Sequence, residues 1–263
     1  MKHLILLAGF LVTLATNAQT ISRSVIPCQG GNYTGSNLQV SYTVGEPCTQ
    51  TLSAANLMLT QGFQQPDTFV SINLNITCFI QGYYLWNGEM QPALFNQGMS
   101  NDLSITDTLG VQIIEANPPY NVVQNLQAIL HTDGTLHCKL YPSLLGHAYY
   151  IALQHRNAVE TWSANPVMLT GNTAYNFSNS AAQAFGDNQK DVSGNGTLFA
   201  LYSGDNVKDS NVDLYDLNGI ESDIVNFAYG YYNTDINGDG NVDLFDLLAP
   251  EENVINFVYA VHP

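Results

Sequence analysis

The stretch 235-DINGDGNVDLFD-246 sets acids and amides in alternation, a glycine at its centre and a carboxylate at its end. Four aspartates, Asp235, Asp239, Asp243 and Asp246, fall within it, and an apolar run follows at once. A solvated acidic face would account for the charge but not for the spacing. Hard cations such as Ca²⁺ take six to eight oxygens, and a twelve-residue loop supplies them from positions 1, 3, 5, 7, 9 and 12. Those positions hold Asp235, Asn237, Asp239, Asn241 (through its backbone carbonyl), Asp243 and Asp246. Position 6 must turn sharply, which Gly240 does without steric cost. Position 8 is Val242, whose backbone is expected to pair with a sister loop.

A sister loop exists. Shifting the chain by 30 residues aligns 205–232 with 235–262, and 12 of the 28 positions are identical. This first loop offers Asp205, Asp209, Asn211, Asp213 and Asp216. Its position 3 is Val207, which has no oxygen to give, and its position 6 is Ser210, strained by about 1 kcal/mol where glycine would not be. Asn206, one residue early, is a possible substitute ligand. Two calcium ions are therefore expected, with the 235–246 loop the stronger site. Aspartate at position 12 is one methylene shorter than the usual glutamate, so looser closure and more magnesium competition are expected.

Each loop runs straight into a helical pattern. Leu214, Leu217, Ile220, Ile224 and Phe227 recur at three- and four-residue steps, as do Leu244, Leu247, Leu248, Ile255 and Val258. Pro250 should break or restart the second run. No helical pattern precedes either loop, so each unit is a loop with one exit helix.

Tandem loop–helix units of this kind, with Asp at position 12 and Val at position 8, resemble the type I dockerin repeat. The resemblance covers about 60 of 263 residues, strongly in the second repeat and in degraded form in the first. It implies a small α-helical calcium module at 204–263 and a possible cohesin-like partner. The calcium residues match position by position; that family's recognition residues do not.

The chain opens with MKHLILLAGFLVTLATNAQ, a short basic start, an apolar run and small residues, as in a cleaved secretory signal over 1–19. The run is too short to span a bilayer, so a secreted, extracellular or cell-surface protein without a membrane span is expected. Net charge is −16, with only six Lys and Arg; nucleic acid is excluded as a partner. Twelve of the 22 acids lie in 205–263. An even cysteine count in an exported chain favours disulfides. Of the three possible pairings, Cys28–Cys48 with Cys78–Cys138 keeps each pair within one segment.

Residues 20–203 carry strand signals: 38–44, 72–78, 103–107, 111–115, 148–155, 166–170, 197–202, and a hairpin over 126–140 closed at Asp133-Gly134. They predict a mainly β chain, with an antiparallel immunoglobulin-like β-sandwich at 70–203. An N-terminal β segment occupies 20–69, with its boundary near Pro66. The segments 41-SYTVGEP-47, 60-TQGFQQP-66, 155-HRNAVETWS-163 and 184-AFGDN-188 also resemble a group of secreted Gram-negative bacterial proteins, a β domain followed by paired calcium loops.

Catalytic signals are weak. No GxSxG, HExxH or phosphate-binding glycine loop is present. His131 and His137 flank the hairpin turn and could meet as a metal pair; His155 and Glu160 could form an acid–base pair. The aromatics of 83-YYLW-86 and 149-YY-150 could stack on sugar rings. Cross-strand surface histidines, a polar strand end and core packing are the plainer explanations. The expectation is a non-catalytic, secreted calcium-binding protein whose dockerin-like module serves structure or attachment. The alternative is a polysaccharide-associated protein, sugar-binding or a glycoside hydrolase, docked to a cohesin-like protein or a cell-surface polysaccharide.

Overall fold

The computed structural model describes residues 29–34, 39–44, 51–54, 57–60 and 71–263, in two units that divide between Thr68 and Phe69. The expected leader, the Pro66 boundary and the Cys28–Cys48 pair lie outside the described residues. In the first unit, β1 (Gln29–Thr34) pairs antiparallel with β2 (Gln39–Val44), and β3 (Thr51–Ala54) with β4 (Leu57–Thr60).

The second unit is mainly β. Its principal strands are β5 (Ile72–Thr77), β6 (Ile105–Glu115), β7 (Val122–His131), β8 (Thr135–Leu140), β9 (Ala148–His155), β10 (Ala158–Trp162), β11 (Val167–Met168) and β12 (Asn172–Asn176). They form one path, β10-β9-β6-β7-β8-β5-β12, with β11 added along β9. Alternation decides which side chains enter the core. Ile72, Leu74 and Ile76 of β5 are buried, as are Leu136 and Leu140 of β8, while Asn73 and Asn75 face outward. Strands β7 and β8 pair only at Leu130 and Leu136. The sheet curls at that open hairpin, and its apolar sides meet in one cluster that includes Leu74, Val111, Leu136 and Ile151.

Three expectations are corrected. The sheet is mixed, not antiparallel: β12 runs parallel to β5, from Asn172 opposite Asn73 to Asn176 opposite Thr77. An alternating pattern fixes the buried face of a strand but not its neighbour's direction. The expected strands 103–107 and 111–115 are one strand, β6. Its Gly110 reads as a break in sequence but sits where strands crowd, a Cβ there lying 3.3 Å from Gln154. Cys78 and Cys138 are both buried free thiols. Cys138 stands opposite Leu74, four residues along β5 from Cys78. That offset is about 13 Å, well beyond disulfide reach.

Alternation along β6 sets the Asp107 carboxylate on the inward face with Leu109, Val111 and Ile113, and sets Ile114 on the other face, in a second cluster with Tyr150 and Trp162. After β12 come two short strands, β13 (Lys190–Asp191) and β14 (Phe199–Ala200), paired antiparallel. The chain past β14 runs antiparallel beside the start of β10, Val159 N donating to Tyr202 O and Gly204 N to Asn157 O, and delivers Asp205 to the start of the first loop.

The helices are few. α1 (Ala93–Asn96) is one turn; α2 (Leu214–Val225) follows the first loop. The second loop enters a 3₁₀ turn at Leu244–Leu247 and then α3 (Leu248–Ile255). The restart places Pro250 in the first turn of α3, where its missing N–H costs no helical bond.

Candidate metal centre

The two loops repeat one hydrogen-bond plan. In the first, Asp216 accepts from the N–H groups of Asn206 (2.9 Å), Val207 (3.0 Å) and Asp213 (3.0 Å). In the second, Asp246 accepts from Ile236 (2.7 Å), Asn237 (2.9 Å) and Asp243 (2.8 Å). The position-12 carboxylate thus ties the start of each loop to its end. Asp213 and Asp243 cap the helical turns that follow, in reciprocal capping boxes with Asp216 and Asp246. That role is legible as D-x-x-D before an apolar run.

The repeats are reciprocal. Val212 N donates to Val258 O and Val242 N to Ala228 O, both at 2.9 Å; Gly230 N donates to Gly240 O and Ala260 N to Ser210 O. Each loop pairs with the segment just past the other repeat's helix. The expectation that Val242 pairs with the sister loop is corrected accordingly. Without entry helices, those exit segments are the available partners.

The second loop is seated on the β domain. Gln97 Nε2 donates to Asp235 Oδ2 (2.6 Å), Asn157 Nδ2 to Asp235 O (3.0 Å) and Asn96 Nδ2 to Gly238 O (2.9 Å). A Cβ on Gly82 would lie 2.2 Å from Ile236 O, so only glycine admits the loop there. Behind these contacts is a buried polar group. Asp107 Oδ2 accepts from Tyr83 (3.2 Å) and Arg156 Nε (2.9 Å) and lies 3.1 Å from His155 Nε2. Arg156 also donates to Tyr232 O and stacks on Tyr231. Tyr231 and Tyr232 adjoin the loop in sequence, but Gly82, Tyr83, Asn96, Gln97 and Asp107 lie far from it and carry no local signal for it.

Burial sets the electrostatics. Asp205, Asp216, Asp235 and Asp246 are at most 1% exposed. Burial raises all four carboxyls above their ordinary range, and pushes Asp246 up to about 7, against the lowering effect of its backbone hydrogen bonds. In the second loop neither Asp235 nor Asp246 makes an ion pair among the described residues. Among the described residues, no three His, Cys, Asp or Glu side chains converge as a ready-made metal cluster. The donors nevertheless suit a hard cation: all are oxygens, drawn also from amides and a carbonyl, and buried carboxylates with no basic partner need a positive charge. In such a site Asp235, Asn237, Asp239, Asn241, Asp243 and Asp246 would hold the ion, which supplies the missing charge.

The first loop differs. Its equivalent stretch, Val207, Lys208, Asp209 and Ser210, is exposed, whereas Gly238 and Gly240 are buried. Positions 4 and 6 are left-handed in both loops: φ is 61° and 76° at Lys208 and Ser210, against 74° and 92° at Gly238 and Gly240. Lys208 Nζ lies 3.4 Å from Asp205 Oδ2 and donates to Ala158 O (2.7 Å). The loop therefore carries its own cation where a metal would bind. Asn206 points elsewhere, its amide donating to Asp216 O and Gly204 O.

The other sequence candidates separate. His131 Nδ1 meets Ser104 O, and His137 Nδ1 meets Asn75, so the two do not form a pair. His155 meets Asp107, while Glu160 accepts from Gln154 and Trp162. Tyr83 and Tyr150 are buried, but Trp86 is 79% exposed. No helix among the described residues is long and apolar enough to cross a membrane.

No protein-family model and no curated protein matches the sequence. A solved structure with some likeness is an N-terminal interface mutant of a type II cohesin–X-dockerin complex from Acetivibrio cellulolyticus. It shares 13% identity at a TM-score of 0.40, over 70% of this chain and 95% of that one.

Proposed function

We propose that this chain is a secreted calcium-binding protein. Its non-catalytic β domain is joined to a dockerin-like module, 204–263, which calcium holds in shape. The reading rests above all on one observation: two loops 30 residues apart bury the carboxylates of positions 1 and 12, and the position-12 carboxylate accepts the same three backbone hydrogen bonds in each. Carboxylates so placed oppose compaction until a divalent ion offsets their charge. Calorimetric titration of the metal-stripped chain with calcium tests it. Two sites of unequal affinity are expected; no heat and no change in helicity would dismiss the proposal.

A second reading is attachment to a cohesin-like protein or a cell-surface polysaccharide through the module. It is favoured by apolar residues exposed at matching positions of both repeats: Tyr215 and Phe245, Val225 and Ile255, Phe227 and Phe257. Phe227 and Phe257 are 85% and 83% exposed. A pull-down from secreted proteins, with and without chelator, tests it. Recovery of a partner that survives Phe227→Ser with Phe257→Ser would argue against this surface.

A further inference from the structure

We propose that the cleft between the Tyr84–Met90 hairpin, the turn after β13 and the second loop with the start of α3 binds a neutral oligosaccharide chain. The cleft has a volume of about 670 Å³, within the range of small-ligand sites. Tyr84, Trp86, Phe245 and Leu248 supply its apolar surface, and Lys190, Asp191 and Glu252 its polar edge.

The aromatic wall is built, not incidental. Tyr84 bridges Met90, and Leu85 N donates to Glu89 O (2.9 Å), closing a tight hairpin. At its tip Trp86 adopts a left-handed backbone, φ 65°, and stands 79% exposed beside Tyr84, ring centroids 6.1 Å apart. Left-handed backbone is costly for a bulky residue and is kept where its surroundings impose it. Phe245 and Leu248, 67% and 63% exposed, face the same cleft from the module. These are projecting platforms, not the deep pocket that anchors a peptide side chain.

The charges decide the ligand class. Asp191 spends its oxygens on the N–H groups of Ser193, Gly194 and Gly196 and on the Ser193 hydroxyl. Glu252 is paired with Lys190, and Asp239 belongs to the second loop. Among the described residues no other basic side chain lines the cleft to draw in an anion, and the chain's net charge of −16 repels phosphate or uronate polymers. Asp191 and Glu252, satisfied within the chain, give little attraction to a further cation. Ring faces edged by hydrogen-bonding groups suit a sugar, whose C–H face stacks while its hydroxyls donate and accept. The module's wall of the cleft rests on the calcium reading of the second loop; the hairpin wall does not.

The test uses the full chain with calcium present. Cellohexaose, xylohexaose, laminarihexaose, mannohexaose and hexagalacturonate are titrated by calorimetry and by tryptophan emission, and apolar peptides are screened in parallel. The chain has two tryptophans, and Trp162 is buried, so a shifted emission reports Trp86. We expect binding of at least one neutral hexasaccharide, weakened about tenfold or more by Trp86→Ala and by Phe245→Ala. The calcium isotherm of Trp86→Ala should be unchanged. Binding of no neutral sugar, binding indifferent to both substitutions, or binding only of hexagalacturonate or apolar peptides overturns the proposal. A flat calcium isotherm with sugar binding still lost in Trp86→Ala would refute the loops and keep the cleft.

Discussion

The side chain of Gln97, at the end of α1, donates to the carboxylate of Asp235 across 138 positions of sequence at 2.6 Å. It fixes one oxygen of the first residue of the second loop from the β domain. Outer contacts that orient metal ligands are commonly worth tenfold or more in affinity. Gln97→Met should therefore weaken calcium at the second site by about tenfold while leaving the first site unchanged. Titration calorimetry checks it, and equal losses at both sites would contradict it.

Asp246 and Asp216 hold equivalent places, but their loops do not. Asp246→Ala should remove most of the tight calcium binding, and Asp216→Ala should remove only the weaker phase. The comparison is made on the full chain, with circular dichroism to show that each variant folds.

Lys208 stands beside Asp205 in a left-handed backbone that glycine adopts more easily. Lys208→Gly removes an internal cation and relieves about 1 kcal/mol of strain. Calcium affinity at the first loop should rise by about fivefold or more, narrowing the gap between the sites. An unchanged first-site affinity would show that Lys208 does not compete.

The Asp107–His155 pair predicts a pH dependence. Burial lowers the His155 pKa, and the Asp107 hydrogen bond only partly restores it. The unfolded chain then binds a proton near pH 6.5 that the folded chain does not, so stability falls as pH drops through that value. For Asp107, burial raises the pKa, but His155 and Arg156 more than offset this and hold it well below the carboxylate range. Its contribution is full above pH 4 and fades on further acidification. In saturating calcium, the denaturant midpoint should fall between pH 7 and pH 5, and His155→Gln should flatten that slope. The loss is bounded by about 1.4 kcal/mol per pH unit per proton.

The local features of the module were legible in the sequence. Loop spacing, the 30-residue repeat, helical turns beginning at Leu214 and Leu244 and a restart of the second helix beside Pro250 all follow from patterns within one loop and its helix. What escaped is non-local. Nothing in 72-INLNIT-77 announces a parallel neighbour, and nothing near Cys78 says that Cys138 lies four residues out of register. The seating of the second loop joins Gly82, Asn96, Gln97 and Asn157 to residues about 80 to 150 positions away. Lys208 was visible as a residue, but its reach to Asp205 appears only once the loop has its shape.

Thermal unfolding of the full chain, in 1 mM calcium and again in excess chelator, is the sharpest test of whether calcium holds the module in shape. If one loop binds with a Kd of about 1 µM, calcium adds roughly 4 kcal/mol, which for a unit of this size is a rise in Tm on the order of 10 °C. That rise is expected, together with helical signal that returns only when calcium is restored. An identical melting curve and identical helicity in chelator would contradict it.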